Sequence, residues 1–292
     1  MSPNDTFAQV SALIRRETSM VYDEGKEYLV SARLTPLANA LGLTVPDYVR
    51  RLPIDPVEKR KVVDALTINE TSWFRDHSPY QAFTDHLLPS ILEARATMPG
   101  PRLLRVWSAA CSSGQEAYSI AMLCEESLPD GWDYEIVATD ISGEMVERVR
   151  AGRYSQVEVN RGLPATRLVG YFQRDGRDWQ IADRLRERVR AQQANLAEPY
   201  VGLGRFDLVL LRNVLIYFEP RTKQDILRRM LPMVAPHGYL LLGSAETTLD
   251  LPPDLAASWR RDQVGRVQTH RPVDLGTAST PTTTHRLTAT GA

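Results

Sequence analysis

The sequence predicts an α/β protein: a doubly wound parallel sheet preceded by a small N-terminal helical domain and carrying an inserted antiparallel β-element. Three observations predict this. Apolar residues recur at helical spacing through residues 1–75, strands and helices alternate from residue 103 onward, and that alternation breaks between 154 and 193.

In the first region Ala8, Val10, Leu13 and Ile14 share one helical face, and Leu34, Leu37, Leu41 and Leu43 recur with similar spacing. Pro46 opens a helix through Asp47-Tyr48-Val49, which Pro53 and Pro56 close, and a further helix over Glu58–Leu66 turns Val62, Val63 and Leu66 inward. A helix over Tyr80–Ala96, kinked or broken at Pro89, ends at the breaker cluster Pro99-Gly100-Pro101. Beyond it, Leu103–Ser108 reads as a buried strand, Glu116–Glu126 as a helix, Tyr134–Thr139 as a second strand and Glu144–Ala151 as another helix. Phe206–Leu211 is a strand, residues 220–234 a helix and Tyr239–Gly243 a strand. Within 154–193, Trp179–Ala182 and Val189–Ala191 are expected to be short antiparallel strands. Residues 275–292 are rich in Thr, Ser, Ala and Gly, which predicts a disordered tail. The domains are therefore 1–75, helical, and 76–274, α/β.

The 292 residues suffice for one large domain or two modest ones. The hydrophobic fraction of 43% and charged fraction of 24% exclude a fibrous or mainly disordered chain. A net charge of -1 leaves no global basic field for nucleic acid, and nine acids face nine bases up to Leu66. No apolar run reaches the roughly 18–20 residues of a membrane span, and residues 1–10 lack a signal-peptide pattern. Two cysteines, Cys111 and Cys124, are too few for a disulfide scaffold or, by themselves, a zinc site. A cytosolic protein is expected, with no metal and no inserted membrane segment.

In a doubly wound sheet the ligand lies at the carboxyl ends of the strands. After the first strand comes Ser108-Ala109-Ala110-Cys111-Ser112-Ser113-Gly114-Gln115-Glu116, whose small residues let backbone approach a ligand. It lacks the G-x-G-x-x-G spacing of a pyrophosphate turn, and a plain tight turn is the competing reading. The second strand ends at Asp140, about 25 residues beyond Gly114, suitably placed to accept hydrogen bonds from ribose hydroxyls. Loop and acid without a diphosphate signature favour an adenosyl ligand such as S-adenosylmethionine; otherwise Asp140 is an N-cap for the Glu144 helix. Arg212 and Asn213 interrupt an apolar run where a strand should end, facing the cleft, unless Arg212 is a salt bridge holding the loop. Cys111 reads as a small buried residue rather than a nucleophile, Cys124 as core, and Trp73 and Trp107 as packing.

Four blocks resemble the chemotaxis-receptor protein-glutamate O-methyltransferases, the CheR family: Asn69–Arg75 (NETSWFR), Arg105–Ser119 (RVWSAACSSGQEAYS), Ala138–Ser142 (ATDIS) and Leu211–Phe218 (LRNVLIYF). Tyr22–Leu34 and Asp47-Tyr48 also look like that family's helical domain, so the resemblance covers about residues 7–270. It implies a Rossmann-like methyltransferase sheet and an enzyme that esterifies glutamates on the cytoplasmic helical region of chemoreceptors with S-adenosylmethionine. By this resemblance Asn69, Thr71 and Arg75 line cofactor and active site, Glu116 lies near the cofactor, Asp140 holds the ribose, Asn195-Leu196 sit beside the adenine, Arg212-Asn213 face the cleft and Tyr217 stands near the reacting groups. Trp73 replaces a common phenylalanine, Gln115-Glu116-Ala117-Tyr118 replaces Glu-Glu-Pro-Tyr, and residues 1–66 lack a strongly basic docking helix.

A glutamate, with a pKa near ~4.3, is already ionised at neutral pH, so displacement at a sulfonium methyl needs no general base. His77, His86, His237, His270 and His285 are accordingly read as surface or structural. Arg75 would orient the incoming carboxylate through its planar fork, and Tyr217 would donate a hydrogen bond or pack against the methyl. The alternatives are a non-catalytic S-adenosylmethionine-sensing adaptor and a methyltransferase for RNA or a small molecule; nucleic acid is not expected as a partner, and a monomer is.

Overall fold

Side chains on the central strands alternate between two apolar layers. Leu104, Val106, Ile136, Ala138, Leu208, Leu210 and Leu241 pack into one, and Trp107, Ala109, Val137, Val209, Leu211, Leu240 and Leu242 into the other. This period of two with both faces covered is what a doubly wound sheet requires. In a computed structural model describing residues 3–22 and 25–273, the expected tail, 275–292, lies outside the described residues.

Four helices come first: α1 (Pro3–Thr18), α2 (Glu27–Ala40), α3 (Val45–Arg51) and α4 (Pro56–Leu66). Their starts follow from local chemistry. Thr44 accepts the Asp47 N–H at 3.3 Å, and Asp55 accepts the Val57 and Glu58 N–H groups at 3.2 and 3.1 Å with Pro56 in the first turn. Val62 and Leu66 are buried as expected, whereas Val63 is half-buried and Leu41 is exposed at the end of α2.

The 80–96 helix divides into α5 (Ser78–Ala82), a π-helical turn (Phe83–Leu87) and α6 (Leu88–Ala96). The break precedes Pro89, whose ring excludes the carbonyl four residues back and whose nitrogen offers no hydrogen. Then follow β1 (Leu103–Ala109), α7 (Gln115–Ser127), β2 (Asp133–Asp140), α8 (Gly143–Ala151), β3 (Arg153–Ser155), α9 (Gln156–Val159), α10 (Ala165–Tyr171), β4 (Phe172–Asp175), β5 (Asp178–Ile181), α11 (Asp183–Arg186) and β6 (Val189–Gln193). The chain ends with β7 (Phe206–Leu211), α12 (Pro220–Met230), β8 (Val234–Leu242), α13 (Pro253–Ala257), β9 (Trp259–Val264) and β10 (Val267–Pro272).

The main sheet has seven strands in the order β6-β2-β1-β7-β8-β10-β9. The first five run parallel, and the β9–β10 hairpin closes the sheet antiparallel to β8. Strand order reverses between β1 and β7, which opens a crevice at their carboxyl ends.

Three expectations need correction. Val189–Ala191 are not antiparallel: they belong to β6, paired parallel with β2 at the sheet edge. The separate antiparallel sheet is β3-β5-β4, so only Trp179–Ile181 of the expected pair lie in it. The helix from 220 stops at Met230, and a 3-10 turn over Leu231–Met233, with Pro232 unable to continue the ladder, leads Val234 into β8. Among the described residues no helix is long and apolar enough to cross a membrane.

Candidate active site

The β1 end, the linker after α4 and the β7 end converge on one cleft. It is lined by Met20, Thr67, Ile68, Asn69, Glu70, Thr71, Arg75, Ala110, Cys111, Ser112, Glu116, Asp140, Ile141, Arg212, Asn213, Val214 and Tyr217. Asn69, Thr71, Arg75, Glu116, Asp140, Arg212, Asn213 and Tyr217 are thus brought together from four stretches of chain, the β2 end at Asp140 being the fourth. Asn195 lines an adjoining cavity that shares Ile141 with the cleft, and Leu196 lines neither: its side chain is buried in the apolar layer.

Backbone strain concentrates here. Phe74, Asp76, His77, Ala110, Ser112 and Asn213 all have positive φ, between 47° and 69°. Each such residue costs on the order of 1–3 kcal/mol, and such costs collect where a site must be shaped. Gly114, at φ 92° before α7, completes the turn where a side chain would meet Val149 and the Tyr154 hydroxyl.

Asp140 ends β2 and is 5% exposed. Its carboxylate accepts the Ser112 N–H at 2.8 Å and the Ser142 N–H at 2.9 Å. The cap of α8 is Ser142, whose hydroxyl accepts the Met145 N–H at 3.2 Å, so the N-cap reading of Asp140 fails. Burial raises the Asp140 pKa, against the Ser142 and Ser112 hydrogen bonds that lower it. Two N–H partners leave acceptor capacity on the carboxylate at the cleft wall.

Glu116, in the first turn of α7, accepts the Ser108 hydroxyl at 2.8 Å and an Arg212 N–H at 3.0 Å. Arg212 also donates to the Arg75 carbonyl at 2.9 Å and the Asp76 carboxylate at 2.7 Å, and its side chain is 1% exposed. Burial opposes its charge, but Glu116, Tyr80 and Asp76 outweigh burial and raise its pKa. The salt-bridge reading of Arg212 therefore holds together with its place in the cleft wall. Arg75 donates to the Glu70 carbonyl at 2.9 Å and remains half-buried. Tyr217 sits in a 3-10 turn over Leu215–Tyr217; burial raises its pKa while the Arg75 charge lowers it, so the phenol stays protonated at neutral pH.

Cys111 is buried, and burial followed by the nearby Asp140 and Glu116 charges pushes its thiol up, which removes it as a nucleophile. Trp73 is 1% exposed and packs edge-on against Tyr154 and Phe172 at 4.9 and 5.4 Å. Trp107 donates to the Thr139 hydroxyl at 2.9 Å. Both are packing residues. Ser112, in the small-residue loop, and Asp76, which closes the polar-aromatic stretch Asn69–Asp76, shape the cleft through Asp140 and Arg212, roles that residue type alone does not assign. Met20 carried no signal, because it enters the cleft wall through its bridge to Phe218. Among the described residues no group of three or more His, Cys, Asp or Glu side chains gathers as a metal site.

Two family profiles match the chain: the CheR methyltransferase all-alpha domain over residues 5–67 and the CheR methyltransferase SAM binding domain over residues 69–258. Chemotaxis protein methyltransferase 1 of Pseudomonas aeruginosa is 39% identical over 259 residues, 85% of this chain and 92% of that one. Chemotaxis protein methyltransferase Cher2 of Pseudomonas putida is 39% identical over 258 residues, with the same coverage. Among solved structures, a TehB-like SAM-dependent methyltransferase from Corynebacterium glutamicum aligns with a TM-score of 0.36 and 10% identity over 63% of this chain and 88% of that one, too distant to bear on the site.

Proposed function

Because the chain belongs to the CheR methyltransferase family and is an S-adenosylmethionine-dependent methyltransferase of chemotaxis, we propose that it esterifies glutamate side chains on the cytoplasmic helical region of chemoreceptors. The proposal includes a cytosolic location, where that region is found.

The observation that carries this reading is the meeting of Asp140, Arg75 and Tyr217 around one cleft at the sheet's switch point. The buried Asp140 carboxylate, with acceptor capacity left over, suits ribose hydroxyls. Asn69, Thr71, Glu116 and Asn213 complete the wall on the cofactor's side, and Asn195 in the adjoining cavity suits the adenine end, while Leu196 serves as packing behind it. S-adenosylmethionine supplies an electrophilic methyl on a sulfonium. Its positive charge suits a wall carrying Glu116 and Asp140.

The remaining work falls to the chain's own residues. A receptor glutamate arrives ionised, so the site needs orientation rather than a base. Arg75 presents the donor fork that holds one carboxylate oxygen while the other attacks. A full bidentate grip would weaken the nucleophile, and the partial engagement of Arg75 with the Glu70 carbonyl limits that grip. Tyr217, held protonated, donates to the incoming acid or closes the cleft over it. Arg212 spends its terminal N–H groups on Glu116, Asp76 and the Arg75 carbonyl and therefore acts on shape. The balanced charge of residues 1–66 leaves docking to shape more than to a basic field.

The test is transfer of labelled methyl from S-adenosylmethionine to a chemoreceptor signalling fragment, with release as methanol in alkali and mass spectrometry of the glutamyl peptides. Label in nucleic acid or small molecules, with none in receptor, selects another substrate. Tight S-adenosylhomocysteine binding without transfer to any acceptor selects the sensing adaptor.

A further inference from the structure

Downstream of β8 the chain reads Leu242-Gly243-Ser244-Ala245-Glu246, and the Glu246 side chain turns back beneath the loop that leaves β7. One carboxylate oxygen accepts the N–H groups of Val214 and Leu215 at 2.8 and 2.6 Å. The other accepts those of Asn213 and Gly243 at 2.9 and 2.7 Å. All four acceptor positions of an ionised carboxylate are thereby used on backbone. Consecutive N–H groups that converge in this way form an anion-binding concavity, filled here by the chain's own carboxylate.

The loop it holds is strained and belongs to the cleft. Asn213 has φ 59°, and Asn213, Val214 and Tyr217 all line the cleft, whereas Glu246 itself does not. Gly243 makes the close approach possible. A methyl group there would lie 2.8 Å from the Asn213 nitrogen, 2.8 Å from a Glu246 oxygen and 2.9 Å from the Asn213 amide side chain.

We infer that Glu246 is a positioning residue for methyl transfer: with Gly243 it locks residues 213–217 in the strained form that holds Asn213 and Tyr217 in the cleft wall. The role rests on the methyltransferase reading, but the mechanical claim is separable from it. A glutamine at 246 has one acceptor oxygen and turns an N–H₂ group toward two of the four donors, so the loop loses half of its anchor with little change in volume.

The experiment compares wild type, Glu246→Gln and Gly243→Ala by amide hydrogen exchange, by S-adenosylhomocysteine affinity and by kcat on a receptor fragment. Glu246→Gln should expose the 213–215 amides to exchange and lower kcat about 100-fold, the size expected from a misplacement near 1 Å, with cofactor affinity falling less than about tenfold. Gly243→Ala, which keeps the carboxylate and displaces Asn213, should shift both readouts in the same direction and serves if Glu246→Gln fails to fold. Unchanged protection at 213–215 in a folded variant overturns the inference. So does a kcat within about threefold of wild type once protection is lost, or an equal loss of kcat and cofactor affinity. A wild type that methylates no receptor counts against the proposed substrate, while the exchange arm still decides whether Glu246 holds the loop.

Discussion

Arg212 and Glu116 meet at 3.0 Å in the cleft wall, joining the end of β7 to the first turn of α7. Arg212 is 1% exposed and Glu116 13%, so the pair is largely removed from water. Removing one member of such a pair strands the other charge, which typically costs about 3–5 kcal/mol, far more than a surface pair contributes. Arg212→Met should lower stability by about that amount in urea unfolding, and Arg212→Met with Glu116→Gln should recover part of the loss. A double-mutant cycle with no coupling would mean that Asp76 and the Arg75 carbonyl alone hold the guanidinium.

Asp140→Asn should separate cofactor binding from stability. Loss of charge-assisted hydrogen bonds to a ligand costs about 1.5–3 kcal/mol, or roughly a 10–100-fold rise in the S-adenosylhomocysteine Kd by calorimetry. Asp140 has a raised folded pKa, so the folded state keeps its proton to higher pH than the unfolded chain and stability from this group is lost as pH rises through that window. The asparagine variant turns its N–H₂ toward either the Ser112 or the Ser142 N–H and so loses one of two buried anchors, which should lower Tm modestly beside the loss of affinity. A fall in Tm large enough to explain the lost affinity would count against this.

Arg75→Ala should reduce kcat/KM for receptor by about 100-fold or more while most cofactor affinity is kept, because orientation of the nucleophile is what is removed. Tyr217→Phe should give a smaller loss, about tenfold, if its hydroxyl donates a single hydrogen bond. Calorimetry on Arg75→Ala showing cofactor binding abolished would move Arg75 into the cofactor pocket.

His270 gives stability a distinct acid limb. It is 1% exposed, and burial, with the Arg261 charge adding to it, lowers its pKa to about 4 against the Leu240 backbone hydrogen bond. The unfolded chain therefore binds this proton first as pH falls below about 6.5, and the folded state loses up to about 3 kcal/mol by pH 4. His270→Gln, which can still meet the Thr248 hydroxyl, should flatten ΔG of unfolding between pH 6.5 and 4. An unchanged slope would assign the limb to other groups.

The central strands were legible because β1, β2 and β7 are apolar runs bounded by turn residues, and Asp140 was legible because it ends one of them. The edges were not. β6 reads Val-Arg-Ala-Gln-Gln and β9 reads Trp-Arg-Arg-Asp-Gln-Val, segments half in water whose pairing is decided by neighbours distant in sequence. The β9–β10 hairpin went unpredicted for that reason. Within the site, Arg75, Asp140 and Tyr217 were readable from the blocks that carry them. Glu246 was not, since it acts on backbone N–H groups some 30 residues away and no side-chain pattern reports such a contact.

The apolar layer of the N-terminal helices is continuous with one face of the sheet: Val10, Ile14, Leu34 and Leu66 belong to the same packed cluster as Trp107, Val209 and Leu240. Severing the chain near residue 68 would part that shared cluster, the Met20–Phe218 bridge and the Val21 N–H to Tyr217 carbonyl bond, so the catalytic portion alone should melt at a lower temperature than the intact protein.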